Sequence, residues 1–513
     1  RDVKGKRAAV FYTRFTGEHV PDTLRVYLES LGMKLDMPDF FVEGKAALSY
    51  DHAATGFTIK ADEDVGGKLT LNGDFSVAGN TIMSAVWADS GITVKGGSVT
   101  SASGGRGLNT GGDITIEAGT VTLTSGFAGI QATGDITITG GTVNATGEGS
   151  ASAIGKSGHS AATAVSIQGG AVYPDLADIS PAPSNTASKS VFPVDFEIGE
   201  KESKVTSLAL YGTLSSYTYG SKDLYTDTSG KLRVWLPATD GKGFVAKVVM
   251  ESGKECFFSY LIGDDGELTE AGYLVVDGSV VSSDDDYAGT GWSYTKSTCV
   301  LELTASVYVQ GLSTNGEFRI VVPSTSLATD IEFRNLTLKT LADGSSSVDV
   351  SAVDFERDVT LTLTGTNVIS AAGKYSAGIE VATAAALTIK GDGALSASGG
   401  QNAAGIGTRG GNASPGRIVI ESGAIVAQGG EKGAGIGGGV SSNLTADNIV
   451  ITGGYVTATG GSMAAGIGSG YVRTAIPDGA VKISGGTVLA TKGSGAGNVG
   501  DFIMSGNEEL LSV

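Results

Sequence analysis

"GDITIEAGTVTLTSGFAGIQATGDITITGGTV", Gly112–Val143, holds one phrase twice. Ile114 and Ile116 of "ITIEA" return as Ile136 and Ile138 of "ITITG". Within each phrase apolar and polar residues alternate, which is the period of a strand with one buried face. A glycine corner and a second short strand, "GTV", follow each time, and a third element carries Ile130. Three short strands, glycine corners and no helical period describe one turn of a parallel β-helix.

Working outward, "LTLNG" starts at Leu69, "ITVKG" at Ile92 and "VSIQG" at Val165, so the same phrase recurs with steps of 23, 22, 22 and 29. Val86, Leu108, Ile130 and Ile154 mark the third strand of this array. A longer version occupies the C-terminal half. Its apolar-x-apolar pairs start at Leu301, Ile331, Leu361, Leu387, Ile418, Ile449 and Val481, with steps of 30, 30, 26, 31, 31 and 32. Ile379, Ile406, Ile436 and Ile467 of the "GI" elements form its third strand, continued by Val499. Stacking at ~4.8 Å makes seven such turns roughly 30 Å long, and the crossover rule predicts right-handed winding. A leucine-rich repeat needs a longer second limb, and a propeller needs four strands per blade.

"GAGIGGG", 433–439, carries the G-x-G-x-x-G spacing of a dinucleotide loop, and so do Gly405, Gly407 and Gly410. That loop needs a long helix after it and an acidic residue about 20 positions on. Here another strand follows, and the element recurs with the repeat. The glycines therefore read as corners, with Ile436 stacked inward between Ile406 and Ile467.

The chain has 513 residues, 80 of them glycine, and a net charge of -19. That acidity disfavours phosphate-mediated nucleic-acid binding. No run of ~18 apolar residues predicts a membrane span. No signal peptide is visible, and the chain from Arg1 reads as a trimmed or mature form. Cys256 and Cys299 allow one bridge or two free thiols.

The fold expected is all-β, with two right-handed parallel β-helices and a small β-domain between them. Residues 1–45 are read as an N-terminal cap, with an amphipathic helix over 21–32. The first β-helix spans 46–172, the linker and small antiparallel domain 173–284, and the second β-helix 285–513.

Rings gather in the middle region. Tyr217, Tyr219, Tyr225 and Trp235 are candidates for stacking on sugar faces, with packing inside a β-domain as the alternative. Two acidic clusters, Asp62-Glu63-Asp64 and Asp284-Asp285-Asp286, are candidate calcium sites, with solvated loops as the alternative. No other cofactor is expected. Glu421 stands one turn above Lys390, predicting a surface ion pair. Val419 and Val450 are expected to form an outward patch open to a neighbouring module. From 361 to 500 the acids are dispersed, so no catalytic residue is assigned. A lyase or hydrolase would need two carboxylates, or a carboxylate with Arg or Lys, converging in one cleft.

The segment from Gly104, "GGRGLNTGGDITIEAGTVTLTSGFAGIQATGDITITGGTV", resembles a β-helical carbohydrate-binding family of bacterial surface proteins that includes calcium-dependent pectin binders. The resemblance covers about 69–172. In that family an Asp pair often precedes the "GI" step and holds calcium; Phe127-Ala128 and Arg106 stand at those places here. The second array, with "GTGWSY" and "AAGIG", resembles repeats of large secreted proteins of gut bacteria, and "DLYTDTSGKLRVWLP" is similar to segments beside such repeats; this resemblance covers roughly 200–500. Together these imply an extracellular or cell-surface, non-catalytic binder of polysaccharide or host glycan, or an adhesin. A structural stalk is the alternative, and a polysaccharide lyase or hydrolase the third reading.

Overall fold

The computed structural model describes residues 40–43, 46–51, 56–61, 68–72, 74–78, 84–157, 160–341, 350–411, 414–471 and 479–494. The segment 21–32, the cluster Asp62-Glu63-Asp64 and Val499 lie outside them. The described chain is all-β. It forms two compact units. One takes 1–210, 214–241 and 246–269; the other takes 211–213, 242–245 and 270–513.

In the first unit the repeated phrases pair in parallel. Leu69, Ile92, Ile114, Ile136 and Val165 lie in one register across successive strands. All five are buried. The intervening Thr70, Thr93, Thr115, Thr137 and Ser166 stack on the opposite face in the same register. A second row brings Val99, Val121, Val143 and Val172 together. A third aligns Val86, Leu108, Ile130 and Ile154. The first two rows join because one long strand, Ile136–Ala145, belongs to both. Corners follow from close stacking. Gly119 has φ +89°, and a Cβ there would lie 2.8 Å from the Gly96 carbonyl carbon.

Antiparallel pieces stand at both ends of this array. Phe40–Glu43, inside the expected cap, runs antiparallel onto Lys68–Asn72. At the other end Val191–Glu197 pairs antiparallel with Lys231–Pro237. A five-stranded sheet containing Lys204–Gly212, Leu224–Tyr225 and Glu255–Ile262 follows. Apart from 211–213 and 242–245, the middle region groups with the first array as far as Thr269. Val191 and Trp235 belong to the same buried cluster as Ile136 and Ile167.

In the second unit the first-row ladder runs Val307, Ile331, Leu361, Ile389, Ile420, Ile451 and Ile483. Two details differ from the sequence reading. Leu301 does not open a first-row strand: Val300–Leu303 pairs with Arg319–Val322 in the third row, Leu301 facing Ile320. Leu361 lies opposite Ile389, and Leu387 lies opposite Val359. That offset is two residues, so every apolar side chain stays on the core face. The alternation is therefore the same in either register, and sequence alone does not distinguish them.

The third row aligns Ile320, Val353, Ile379, Ile406, Ile436 and Ile467. Ile436 is fully buried between Ile406 and Ile467, as read from "GAGIGGG". A Cβ on Gly407 would collide with the Gly437 carbonyl oxygen, and one on Gly437 with that of Gly468. Gly407, a fingerprint position, and Gly437 thus allow strands to stack. Antiparallel strands Tyr273–Val276 and Ser279–Ser282 join this unit through Val307–Ser313. Val419 is buried and Val450 half-buried, so the expected outward patch is not an open surface. Lys390 and Glu421 form no ion pair; among the described residues the ion pairs lie elsewhere.

Candidate functional site

Two of the four candidate sugar-stacking rings are interior. Trp235 is fully buried, and its indole N–H donates to the Val172 carbonyl at 2.8 Å. Tyr219 is buried; its hydroxyl donates to the Gly170 carbonyl at 2.7 Å and accepts from the Trp235 amide at 3.0 Å. Both rings close the end of the first array, which excludes them as sugar platforms. Tyr217 is half-buried beside Tyr219, their ring centroids 6.4 Å apart. Tyr225 is half-buried; its carbonyl accepts from the Tyr173 hydroxyl and its amide donates to Thr142 Oγ1. Replacing Tyr219 with Phe should leave two buried backbone groups short of a partner. The expected cost is ~1–3 kcal/mol, read as a lower urea midpoint, with glycan retention unchanged.

The same fold element creates a polar cleft. Alternation along Lys231–Pro237 puts Lys231 and Arg233 on the same side as Trp235. Asp195 lies directly opposite Arg233 in the antiparallel pair. The guanidinium grips it in a fork, Nε to Oδ1 at 2.7 Å and Nη2 to Oδ2 at 2.9 Å. Its Nη1 donates to Asp175 at 2.6 Å and to the Tyr173 carbonyl at 2.8 Å. These bonds, Asp195 foremost, hold the guanidinium above its ordinary pKa.

A tight turn supplies the next acid. Asp227 Oδ1 accepts from the Ser229 amide at 2.8 Å, the Ser229 hydroxyl at 2.7 Å and the Lys231 amide at 2.9 Å. Burial opposes its ionisation, but these donors keep the carboxyl below its usual range. Tyr173, just past the last strand of the array, has its hydroxyl 2.6 Å from the Tyr225 carbonyl and 3.0 Å from that of Lys231. Burial, then Asp227, pushes that phenol up, so it stays a neutral donor. Asn144 comes from the ladder and Thr228 from the turn. The cleft these groups line is about 380 Å³.

The cleft is lined by Asp175, Asp195 and Asp227 together with Lys231 and Arg233. Asn144, Thr228 and the unengaged carboxylate oxygens offer both donors and acceptors. This arrangement suits a ligand rich in hydroxyls. Of "DLYTDTSGKLRVWLP" the sequence singles out Tyr225 and Trp235 as candidate rings; its Asp227, Lys231 and Arg233 are the residues that reach the cleft. The one available signal was the alternation Lys231, Arg233, Trp235.

The acidic cluster 284–286 is built into a turn. Asp284 Oδ1 accepts from the Tyr287 hydroxyl at 3.0 Å and from Ser282. Asp286 accepts the Lys296 amide at 2.7 Å. Among the described residues no three His, Cys, Asp or Glu groups gather as a metal site. Cys256 and Cys299 are free thiols.

A second concentration of charge lies in the second unit. Asp354 and Glu380 occupy the same ladder position on adjacent parallel strands. Glu380 accepts from Arg409 at 2.8 Å and from Ser351 at 2.7 Å. Arg319 stands 3.9 Å from Asp354. Burial, then Glu380 and Glu356, pushes the Asp354 carboxyl up to about 7. These two acids come from successive turns of the array, and only the register of the fold brings them together.

Residues 38–186 match the family model of a carbohydrate-binding domain-containing protein. Residues 449–471 and 481–498 match a β-helix repeat model. Curated proteins and solved structures give no match. The carbohydrate-binding match covers the first array and three cleft residues, Asn144, Tyr173 and Asp175. Among described residues the exposed large aromatics are Phe127, Tyr455 and Tyr471, and Phe127 falls within the match, with the Arg106 guanidinium 5.9 Å from its ring centre. Among the described residues no helix is long and apolar enough to cross a membrane.

Proposed function

We propose that the chain is a non-catalytic carbohydrate-binding protein, secreted or held at a bacterial cell surface. In this reading its two arrays wind as right-handed parallel β-helices, and the cleft around Arg233 holds a polysaccharide or host glycan. The carbohydrate-binding match over 38–186 carries the proposal; it takes in Asn144, Tyr173 and Asp175 of the cleft, while Arg233 lies beyond it. The ligand expected is largely neutral. The net charge of -19 repels bare polyuronates unless cations bridge them.

A glycan array, with pull-down on insoluble polysaccharides, tests this reading. Retention of the full chain on a defined glycan class is expected, and no retention on any surface contradicts it. Parallel arms with calcium and with chelator decide whether Asp62-Glu63-Asp64 or Asp284-Asp285-Asp286 contributes an ion.

A second reading, glycoside hydrolysis, is favoured by one observation. Asp354 and Glu380 share a face about one strand spacing apart, ~4.8 Å. Their environments differ: Asp354 is pushed up to about 7, while Arg409 and Ser351 both donate to Glu380. An acid paired with a carboxylate is the requirement for that chemistry. Release of reducing ends from retained glycans, lost in Asp354→Asn and Glu380→Gln, would establish it.

A further inference from the structure

The second unit contains a pocket of about 600 Å³, outside the segment that matches the carbohydrate-binding model. The strand Trp292–Thr295 and the short turn Lys296–Thr298 bring Thr295, Ser297 and Thr298 to it. Val300 pairs with Arg319 across two parallel strands, and Glu302 lies two residues further along. Leu301 and Ile320 are buried in the core, so Val300, Glu302 and Arg319 share the outer face.

Arg319 is incompletely paired. Its Nε is buried with no hydrogen-bond partner. Its nearest carboxylate, Asp354, is 3.9 Å away, beyond hydrogen-bond range. That Nε is closed to solvent, so a ligand in the pocket meets the rest of the guanidinium, whose side chain is 19% exposed. Glu302 sits on the same wall as an acceptor. A sugar hydroxyl can accept from the guanidinium and donate to the carboxylate, and the aliphatic Val300 can face a ring C–H surface. An anionic sugar would be repelled by Glu302, and Asp354, Glu356 and Glu380 already act on Arg319.

We propose that this pocket is a second saccharide site, which takes a neutral sugar through paired contacts to Arg319 and Glu302. The choice of ligand class rests on the carbohydrate-binding reading; the site itself is independent of the first cleft.

Asp354 makes binding pH-dependent. The charged groups around it are Glu380, Glu356, Arg409 and Arg319, and burial is the largest influence on it. Below about 7 its carboxyl is neutral and leaves Arg319 to the ligand. Above that it is anionic and competes for the guanidinium. Affinity should therefore fall as pH rises through about 7, and Asp354→Asn should flatten the profile.

The test uses the full chain and soluble probes: cellopentaose, xylopentaose, mannopentaose and laminaripentaose, with pentagalacturonate as the anionic control. Binding is followed by saturation-transfer NMR and calorimetry, in wild type and in Arg233→Ala. A neutral oligosaccharide should still bind after Arg233→Ala. It should then weaken at least about tenfold, or ~1.4 kcal/mol, in Arg319→Gln and in Glu302→Gln. If Arg319→Gln fails to fold, judged by its thermal melt, Glu302→Gln on the outer face carries the test. Three results overturn the proposal: loss of all binding in Arg233→Ala, saccharide binding indifferent to both pocket variants, or binding of pentagalacturonate alone. Absence of binding by every probe would overturn the carbohydrate-binding reading along with it.

Discussion

Ile436→Asp is expected to abolish cooperative folding of the second unit. Ile436 is fully buried, with Ile406 and Ile467 against it on the adjacent strands. An aspartate there loses the isoleucine packing and places an unpartnered carboxylate in a dry stack. Large-to-small changes at such sites cost ~2–5 kcal/mol, and a buried charge adds to that. The loss should exceed ~4 kcal/mol, enough to remove most of the stability of an ordinary domain. Val426→Asp is the control, since Val426 is 50% exposed on the outer face of its strand. That change should stay within ~0.5 kcal/mol. Urea unfolding followed by circular dichroism compares the two. Equal midpoints would mean that the isoleucine row does not face the core.

Arg233→Ala should have the largest effect on the first cleft. The guanidinium holds Asp195 in a two-point grip and ties Asp175 and the Tyr173 carbonyl to the same place. Removing it leaves Asp195, whose side chain is 31% exposed, without its cation. Hydrogen bonds to charged groups contribute ~1.5–3 kcal/mol, and partial exposure puts the expected loss at the lower end. Glycan retention should drop at least about tenfold. Arg233→Lys keeps the charge but lacks the planar fork, so it should restore part of the stability and little of the binding. Equal retention by all three proteins would move the ligand away from this cleft.

Much of the fold was legible because its signal is periodic. Ile114 and Ile136 announce their pairing by repeating the same phrase at the same alternation. The third-row isoleucines do so through glycine spacing, since only glycine lets the Gly407 and Gly437 backbones stack so closely. The two-residue offset at Leu361 was invisible, because a shift of two preserves which face each residue takes. Leu301 misled for a related reason: it is apolar and alternating, but it belongs to the third row.

The sites were less legible. An aromatic residue carries the same letters whether it plugs an array end or faces a ligand. Trp235 and Tyr219 are plugs because their polar atoms meet Val172, Gly170 and each other. Asp195 and Arg233 are distant in sequence and meet only through an antiparallel register. Asp354 and Glu380 meet through a parallel one. No local motif encodes either meeting.

Hydrogen exchange of the full chain, with and without the glycan it retains, tests the central claim most directly. Protection of backbone amides at 171–175 and 225–233, lost in Arg233→Ala, is the result expected for a saccharide in the first cleft. Glycan retention with those two segments unprotected would contradict it.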